Sequence, residues 1–310
     1  MKSKQVRNSL LLVLTALIWG TAFVAQSAGG DAVGPYTFNA IRSLIGGLML
    51  IPVILFMDRV YPSGKKPQSK REKMTLFVGG LSCGCALFAA STAQQVGIYM
   101  GTSAGKAGFL TACYILLVPV FGLFLKKKCG WNIWVGMLIT VGGLYLLCMT
   151  DSLTFQKSDL LVLLCAVLFA VHILVIDHFS PIVDGVRLSC IQFLVCGILG
   201  LVPMVFSDMG LSEGGFGIWL SRLQSPQAWI SILYAGILSC GVGYTLQIIG
   251  QNGLNPTVAS MLMSLESVFS VLAGWVILHE TLSTRQLFGC ALIFGAIILA
   301  QLPVTDRKKI

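Results

Sequence analysis

Apolar runs of about twenty residues recur from one end of this 310-residue chain to the other. That is the length an α-helix needs to cross the hydrocarbon core of a bilayer. Inside lipid every backbone N–H and C=O must find its partner within the chain, which leaves helices or closed barrels as the available structures. Windows of this length predict ten spans, at 9–28, 36–57, 74–97, 102–125, 131–149, 158–178, 186–207, 228–250, 256–278 and 286–303. Composition agrees: 56% of residues are hydrophobic and 11% charged, against about a quarter charged in soluble domains. Segment 210–226, Gly-rich with Trp219 and Arg222, is too short and polar to span and is expected in the membrane interface. The apolar run after Lys2, Lys4 and Arg7 is longer than the core of a signal peptide, so it reads as an uncleaved first helix.

Twenty-one basic residues face twelve acidic ones, a balance that in a soluble chain could suggest nucleic acid. Here the basic residues sit in short blocks between apolar runs, without the basic stripe that nucleic-acid binding needs, so they act as orientation signals. With the N-terminus inside, sixteen fall in cytoplasmic segments and three (Lys157, Arg222 and Arg285) outside, while Arg42 and Lys106 lie within apolar runs. That split predicts a multi-pass protein of the cytoplasmic (inner) membrane with both termini cytoplasmic. Most of the ten cysteines fall inside apolar runs, where cysteine behaves as a small hydrophobe. Cys83-Gly-Cys85 has no second Cys or His cluster to complete a ligand set, so neither a metal nor a cofactor is expected.

The chain repeats itself at half length. Val120-Phe121 align with Val268-Phe269, and Gly136 and Gly142 with Gly289 and Gly295. An odd number of spans per half makes the second half start on the opposite side of the membrane. The expected architecture is therefore all-α, two inverted five-helix repeats, 1–155 and 156–310, around a central cavity, as in many secondary transporters.

Ile18-Trp19-Gly20-Thr21-Ala22-Phe23, Pro35 followed by Arg42, and Gly-Phe-Leu-Thr-Ala with Val-Pro-Val-Phe in the fourth span open a run of motifs. Gly243-Tyr244, Asn255-Pro256, Leu265-Glu266 through Phe269, and the stretch from Glu280 to Gly295 continue it. In order and spacing these residues, over about 9–303, resemble EamA-type members of the drug/metabolite transporter superfamily. The basic turn at Lys126 departs from the second half, where the matching turn carries His279-Glu280. The resemblance implies a ten-helix inverted-repeat transporter with a central cavity and leaves the solute open among amino acids, sugars, nucleotide sugars, cofactors and organic cations.

A charge at the bilayer centre costs roughly 3 kcal/mol or more unless a wet cavity or a partner receives it. Arg42, Lys106, His172 and Glu266 are the ionisable residues so placed. Glu266 is deepest, about 15 Å into the ninth span. Desolvation there favours its neutral form, which makes it the candidate for proton coupling. Arg42 could cap carbonyls, hold an acid or meet a substrate carboxylate. Lys106 could snorkel to the interface, meet that carboxylate or reach Glu266. His172, lone on an apolar face, fits a core residue or the cavity wall. Trp19, Tyr114 and Tyr244 lie mid-span, away from the interfacial belt. With Glu266 they would suit an amine-bearing or aromatic solute. Gln94, Gln95, Gln192 and Gln247 could bond a substrate or bridge helices.

The expected partners are a small-molecule solute, the bilayer and protons, with no nucleic acid. A membrane-embedded enzyme or a channel is the alternative. No nucleophile elbow, acid dyad, ion filter or nucleotide-binding loop supports either of them or an ATP-driven pump. The reading is a secondary transporter moving an amino acid or another amine-bearing metabolite by alternating access.

Overall fold

The computed structural model describes residues 2–60, 66–102, 104–126, 130–148, 156–210, 215–277 and 283–301, and within them every regular element is helical. The first half holds α1 (Lys2–Val33), α2 (Pro35–Val60), α3 (Lys70–Tyr99), α4 (Ala104–Ala112), α5 (Tyr114–Phe124) and α6 (Trp131–Cys148). The second holds α7 (Lys157–Phe179), α8 (Gly185–Pro203), α9 (Gly215–Leu223), α10 (Pro226–Leu233), α11 (Tyr244–Gln251), α12 (Pro256–Met263), α13 (Leu265–Ile277) and α14 (Thr284–Gln301). A π-helical stretch, Met204–Asp208, extends α8, and another, Tyr234–Gly243, joins α10 to α11. The basic turn at Lys127 and Lys128, the His279-Glu280 turn and the boundary between the halves near residue 155 lie outside the described residues.

Among the described residues, six stretches are long and apolar enough to cross a membrane. They are Pro35–Val60, Lys70–Tyr99, Lys106–Phe124, Lys157–Phe179, Gly185–Asp208 and Ala228–Gln251. Three shorter helices are also apolar: Trp131–Leu147, Pro256–Leu272 and Thr284–Ala300. Large side chains such as Leu55, Phe56, Phe124 and Phe206 point away from the bundle, as expected where the surrounding solvent is lipid.

Helix ends follow local chemistry. Ser69 and Glu72 form a capping box at the start of α3, with Glu72 N–H donating to Ser69 Oγ at 3.1 Å and Ser69 N–H to Glu72 Oε2 at 3.2 Å. Asp184 accepts from Arg187 N–H at 2.9 Å to cap α8, and Asn255 caps α12 ahead of Pro256. Gly34, at φ +93°, makes the reversal from α1 to α2. Asp208 then takes the Thr37 N–H at 2.7 Å and its hydroxyl at 2.8 Å, closing the N-terminus of α2.

Two expected spans are interrupted. The fourth breaks at Cys113, between α4 and α5, and the ninth at Ser264, between α12 and α13. Cys113 has φ −59°, ψ −14° and Ser264 φ −64°, ψ −12°. Each break carries an i→i−3 bond, Leu116 N–H to Cys113 O at 3.0 Å and Ser267 N–H to Ser264 O at 3.2 Å. The segment expected at the interface contains α9, no residue of which is buried. Trp219 Nε1 on it donates to Thr37 Oγ1 at 3.0 Å.

Close packing rests on small residues. α1 lies against α12 and α13, α2 against α8, α3 against α7 and α8, and α6 against α14. A Cβ built on Gly20 of α1 would meet Glu266 O at 2.5 Å and Phe269 Cβ at 2.8 Å. In the α6–α14 seam, a Cβ on Gly136 would lie 2.9 Å from Ala296 O, and one on Gly289 would lie 2.7 Å from Gly143 O.

Candidate functional site

Among the described residues, the helices line a cavity whose walls are partly polar and partly apolar. Its lining comes from α1, α2, α3, α4, α5, α7, α8, the Tyr234–Gly243 stretch, and α11 to α13. The two interrupted helices both deliver a residue to it just past their breaks: Tyr114 opens α5, and Glu266 sits in the first turn of α13.

Glu266 is buried and makes no side-chain hydrogen bond or ion pair among the described residues. Around it the wall is aromatic. Trp19 and Tyr244 have ring centroids 4.5 Å apart, and Phe193 meets Tyr244 edge-on at 5.1 Å. Trp19 Nε1 donates to Ser239 O at 3.4 Å, which fixes the indole. Among the described residues, the buried Tyr114 hydroxyl has no partner, and the side-chain carbonyls of Gln26 and Gln247, also in the lining, lack one too. Unpartnered buried polar groups are costly. Several together around one cavity are acceptors and donors held ready for water or a ligand.

Arg42 enters the wall from α2, with Nε and Nη2 donating to Asn39 Oδ1 at 3.1 and 2.9 Å and its Cζ 5.1 Å from the Phe38 ring centroid. It caps no backbone carbonyl and holds no acid among the described residues. Of the residues expected from sequence, Trp19, Arg42, Tyr114, Tyr244 and Glu266 thus share one cavity.

Lys106 and His172 are not in the lining. Lys106 pairs with Asp159 at the start of α7, and Asp159 also accepts from Thr102 Oγ1 at 3.0 Å and from Gln156 N–H at 2.7 Å. That ion pair joins α4 to α7. Asp159 is what a reading confined to apolar windows passes over, because it stands at the edge of its span. His172 is fully buried behind the wall, with Nε2 3.1 Å from Gln192 Oε1 and its ring edge-on to Tyr244 at 6.1 Å. Gln94 lines the cavity and bonds Thr111 Oγ1 at 3.0 Å. Gln95 instead bridges to Gln26 O at 3.0 Å.

Sequence reading does not single out Gln26, Asn39, Ser91 and Thr111, which also line the cavity. The available signal was faint: uncharged polar residues in apolar runs serve equally often as helix-to-helix bonds.

Relatives match along the full length. An uncharacterized transporter of Archaeoglobus fulgidus is 28% identical over 302 residues, covering 97% of this chain and 88% of the relative. The threonine/homoserine exporter RhtA of Escherichia coli is 24% identical over 308 residues, covering 97% of this chain and 93% of the relative. A solved crystal structure at 20% identity superposes with a TM-score of 0.75 over 95% of this chain and 96% of the other, a likeness of fold. The model of the EamA-like transporter family matches residues 7–149 and again 156–302. Nearly the whole chain is accounted for by those two matches, and it belongs to the EamA-like transporter family of the drug/metabolite transporter superfamily.

Proposed function

We propose that the chain is a secondary transporter that carries an amine-bearing metabolite, an amino acid first, across the cytoplasmic membrane by alternating access, with Glu266 coupling transport to protons. The observation that carries this reading is Glu266, a buried acid without a protein partner among the described residues, in a polar and aromatic cavity. An ammonium group can pair with the carboxylate while Trp19, Tyr114 and Tyr244 offer their ring faces. When the solute is absent, a proton can take its place. The other titratable or charged groups in the same lining are Arg42, Tyr114, Cys196, Cys240 and Tyr244. The name of RhtA, an exporter of threonine and homoserine, fits an amino-acid solute.

The architecture in this reading is ten spans in two inverted five-helix repeats, 1–155 and 156–310, with both termini cytoplasmic. Three features support it. The family model matches twice, in stretches parted near residue 155. The fourth and ninth spans each break once with similar backbone geometry, three residues apart in the register set by Val120 and Val268. The α6–α14 seam is built of crossed twins: if Gly136 corresponds to Gly289 and Gly143 to Ala296, then Gly136 on Ala296 and Gly289 on Gly143 are the same contact made twice.

The test combines binding and transport. Purified protein is melted against a panel of amino acids, polyamines, sugars and neutral cofactors, because a ligand of the folded state raises the melting temperature. Amino acids or amines are expected to give the shift, and uptake or efflux of the hit should depend on pH. Glu266→Gln keeps size and much of the hydrogen bonding but cannot titrate. It should fold with a wild-type melting temperature and lose the pH dependence. Stabilisation by sugars or neutral cofactors alone, or a Glu266→Gln protein with an unchanged pH profile, would overturn the reading.

A further inference from the structure

The coupling role of Glu266 leaves the second charge of the cavity unexplained. Arg42 is 6% exposed, yet no acidic side chain pairs with it among the described residues. A buried guanidinium without a counter-charge is costly, so its surroundings should say what it waits for. They hold it on one edge only. Asn39 Oδ1 accepts from Nε and Nη2, and Asn39 is itself fixed by donating from Nδ2 to Ser91 Oγ at 3.0 Å and Thr92 Oγ1 at 3.1 Å. Those two bonds turn the carbonyl of Asn39, not its amide nitrogen, toward Arg42. The Phe38 ring supports the guanidinium, its centroid 5.1 Å from Cζ.

A guanidinium is planar and presents its donors as a fork. With the Nε–Nη2 edge taken by Asn39, the end edge formed by Nη1 and the remaining N–H of Nη2 meets no protein acceptor among the described residues. Arg42 lines the same cavity as Glu266. Two parallel N–H groups at that spacing match the two oxygens of a carboxylate. Lys106, the other cation near these helices, is already paired with Asp159 and is absent from the lining.

We infer that Arg42, positioned by Asn39, is the carboxylate subsite of the transport cavity, so that Arg42 and Glu266 together select solutes carrying both an ammonium and a carboxylate group. The inference rests on the transport reading above and narrows it from amines in general to amino acids. Asn39 is a positioning residue in this arrangement, acting through Arg42.

The test uses matched probes on the full-length protein: L-threonine against 1-amino-2-propanol, and L-phenylalanine against 2-phenylethylamine, each pair differing by one carboxylate. Affinity is read from ligand-induced melting shifts and from competition in transport. The wild type should prefer the amino acid over its amine by roughly thirtyfold or more, the scale for losing one partner of a buried, hydrogen-bonded charge pair. Arg42→Gln should bring that ratio close to one while the amine still binds. Asn39→Asp gives the guanidinium an internal counter-charge, and should lower affinity for the amino acid while sparing the amine. This variant reports even if Arg42→Gln fails to fold, as does the wild-type ratio alone. A wild type that binds both members of each pair equally overturns the carboxylate subsite and leaves the transport reading standing. A wild type that neither binds nor transports any of the four probes overturns the choice of amino-acid and amine solutes, and the subsite with it.

Discussion

At the scale of single residues, this chain separates charges paired with one another from charges that line the cavity without a counter-charge among the described residues. Lys106 and Asp159 satisfy each other between α4 and α7, with Thr102 and a backbone N–H completing the shell around a fully buried carboxylate. Glu266 and Arg42 do not pair, although they line one cavity. The difference is testable through stability. Lys106→Met leaves Asp159 buried without its counter-charge and should cost about 3–5 kcal/mol, the scale for breaking a buried pair from one side. A double variant, Lys106→Met with Asp159→Leu, should recover most of that loss in a melting measurement. Neither should change the ratio of amino-acid to amine affinity, since neither residue lines the cavity. If Lys106→Met melts like the wild type but alters that ratio, the pair is part of the binding site instead.

At the scale of helices, the sequence made much of the arrangement readable. Hydropathy windows at 36–57, 74–97, 158–178 and 186–207 each fall on a long helix of the structure. It was silent on the breaks at Cys113 and Ser264, because neither carries a proline or glycine and a 3₁₀ bond leaves no trace in an apolar pattern. Pro119, a helix breaker by type, lies within the continuous α5. The site was partly legible for a similar reason. Glu266 and Arg42 stand out in apolar runs, whereas the partner of Lys106 could be found only in three dimensions. Glycines likewise look alike in sequence and differ in place. A Cβ on Gly20 would collide with the α13 backbone at Glu266, whereas one on Gly142 of α6 meets nothing within 4 Å. Gly20→Ala should therefore lower stability by about 1–3 kcal/mol through overpacking. Gly142→Ala should be neutral or gain up to about 1 kcal/mol from helix propensity. Thermal melting of the two variants side by side checks the contrast, and equal effects would mean that α1 and α13 are not in such close contact.

At the scale of the whole molecule, orientation follows from where the cations lie. Sixteen Lys and Arg fall on one side of the proposed topology and three on the other. On a cysteine-free background, a cysteine at the exposed Gln68, just before α3, should react with an impermeant reagent only after permeabilisation. One at the exposed Ser221 on α9 should react on intact cells. The reverse pattern would invert the topology. The α6–α14 seam also bears on how such a molecule can change over generations. If the halves descend from one ancestral segment, Gly136 never meets its own twin, Gly289. It meets Ala296, the twin of Gly143. A larger side chain gained at 136 or at 289 runs into a backbone carbonyl of the other half, which no substitution there can withdraw. Each half carries the other's mould, and neither copy is free to drift alone.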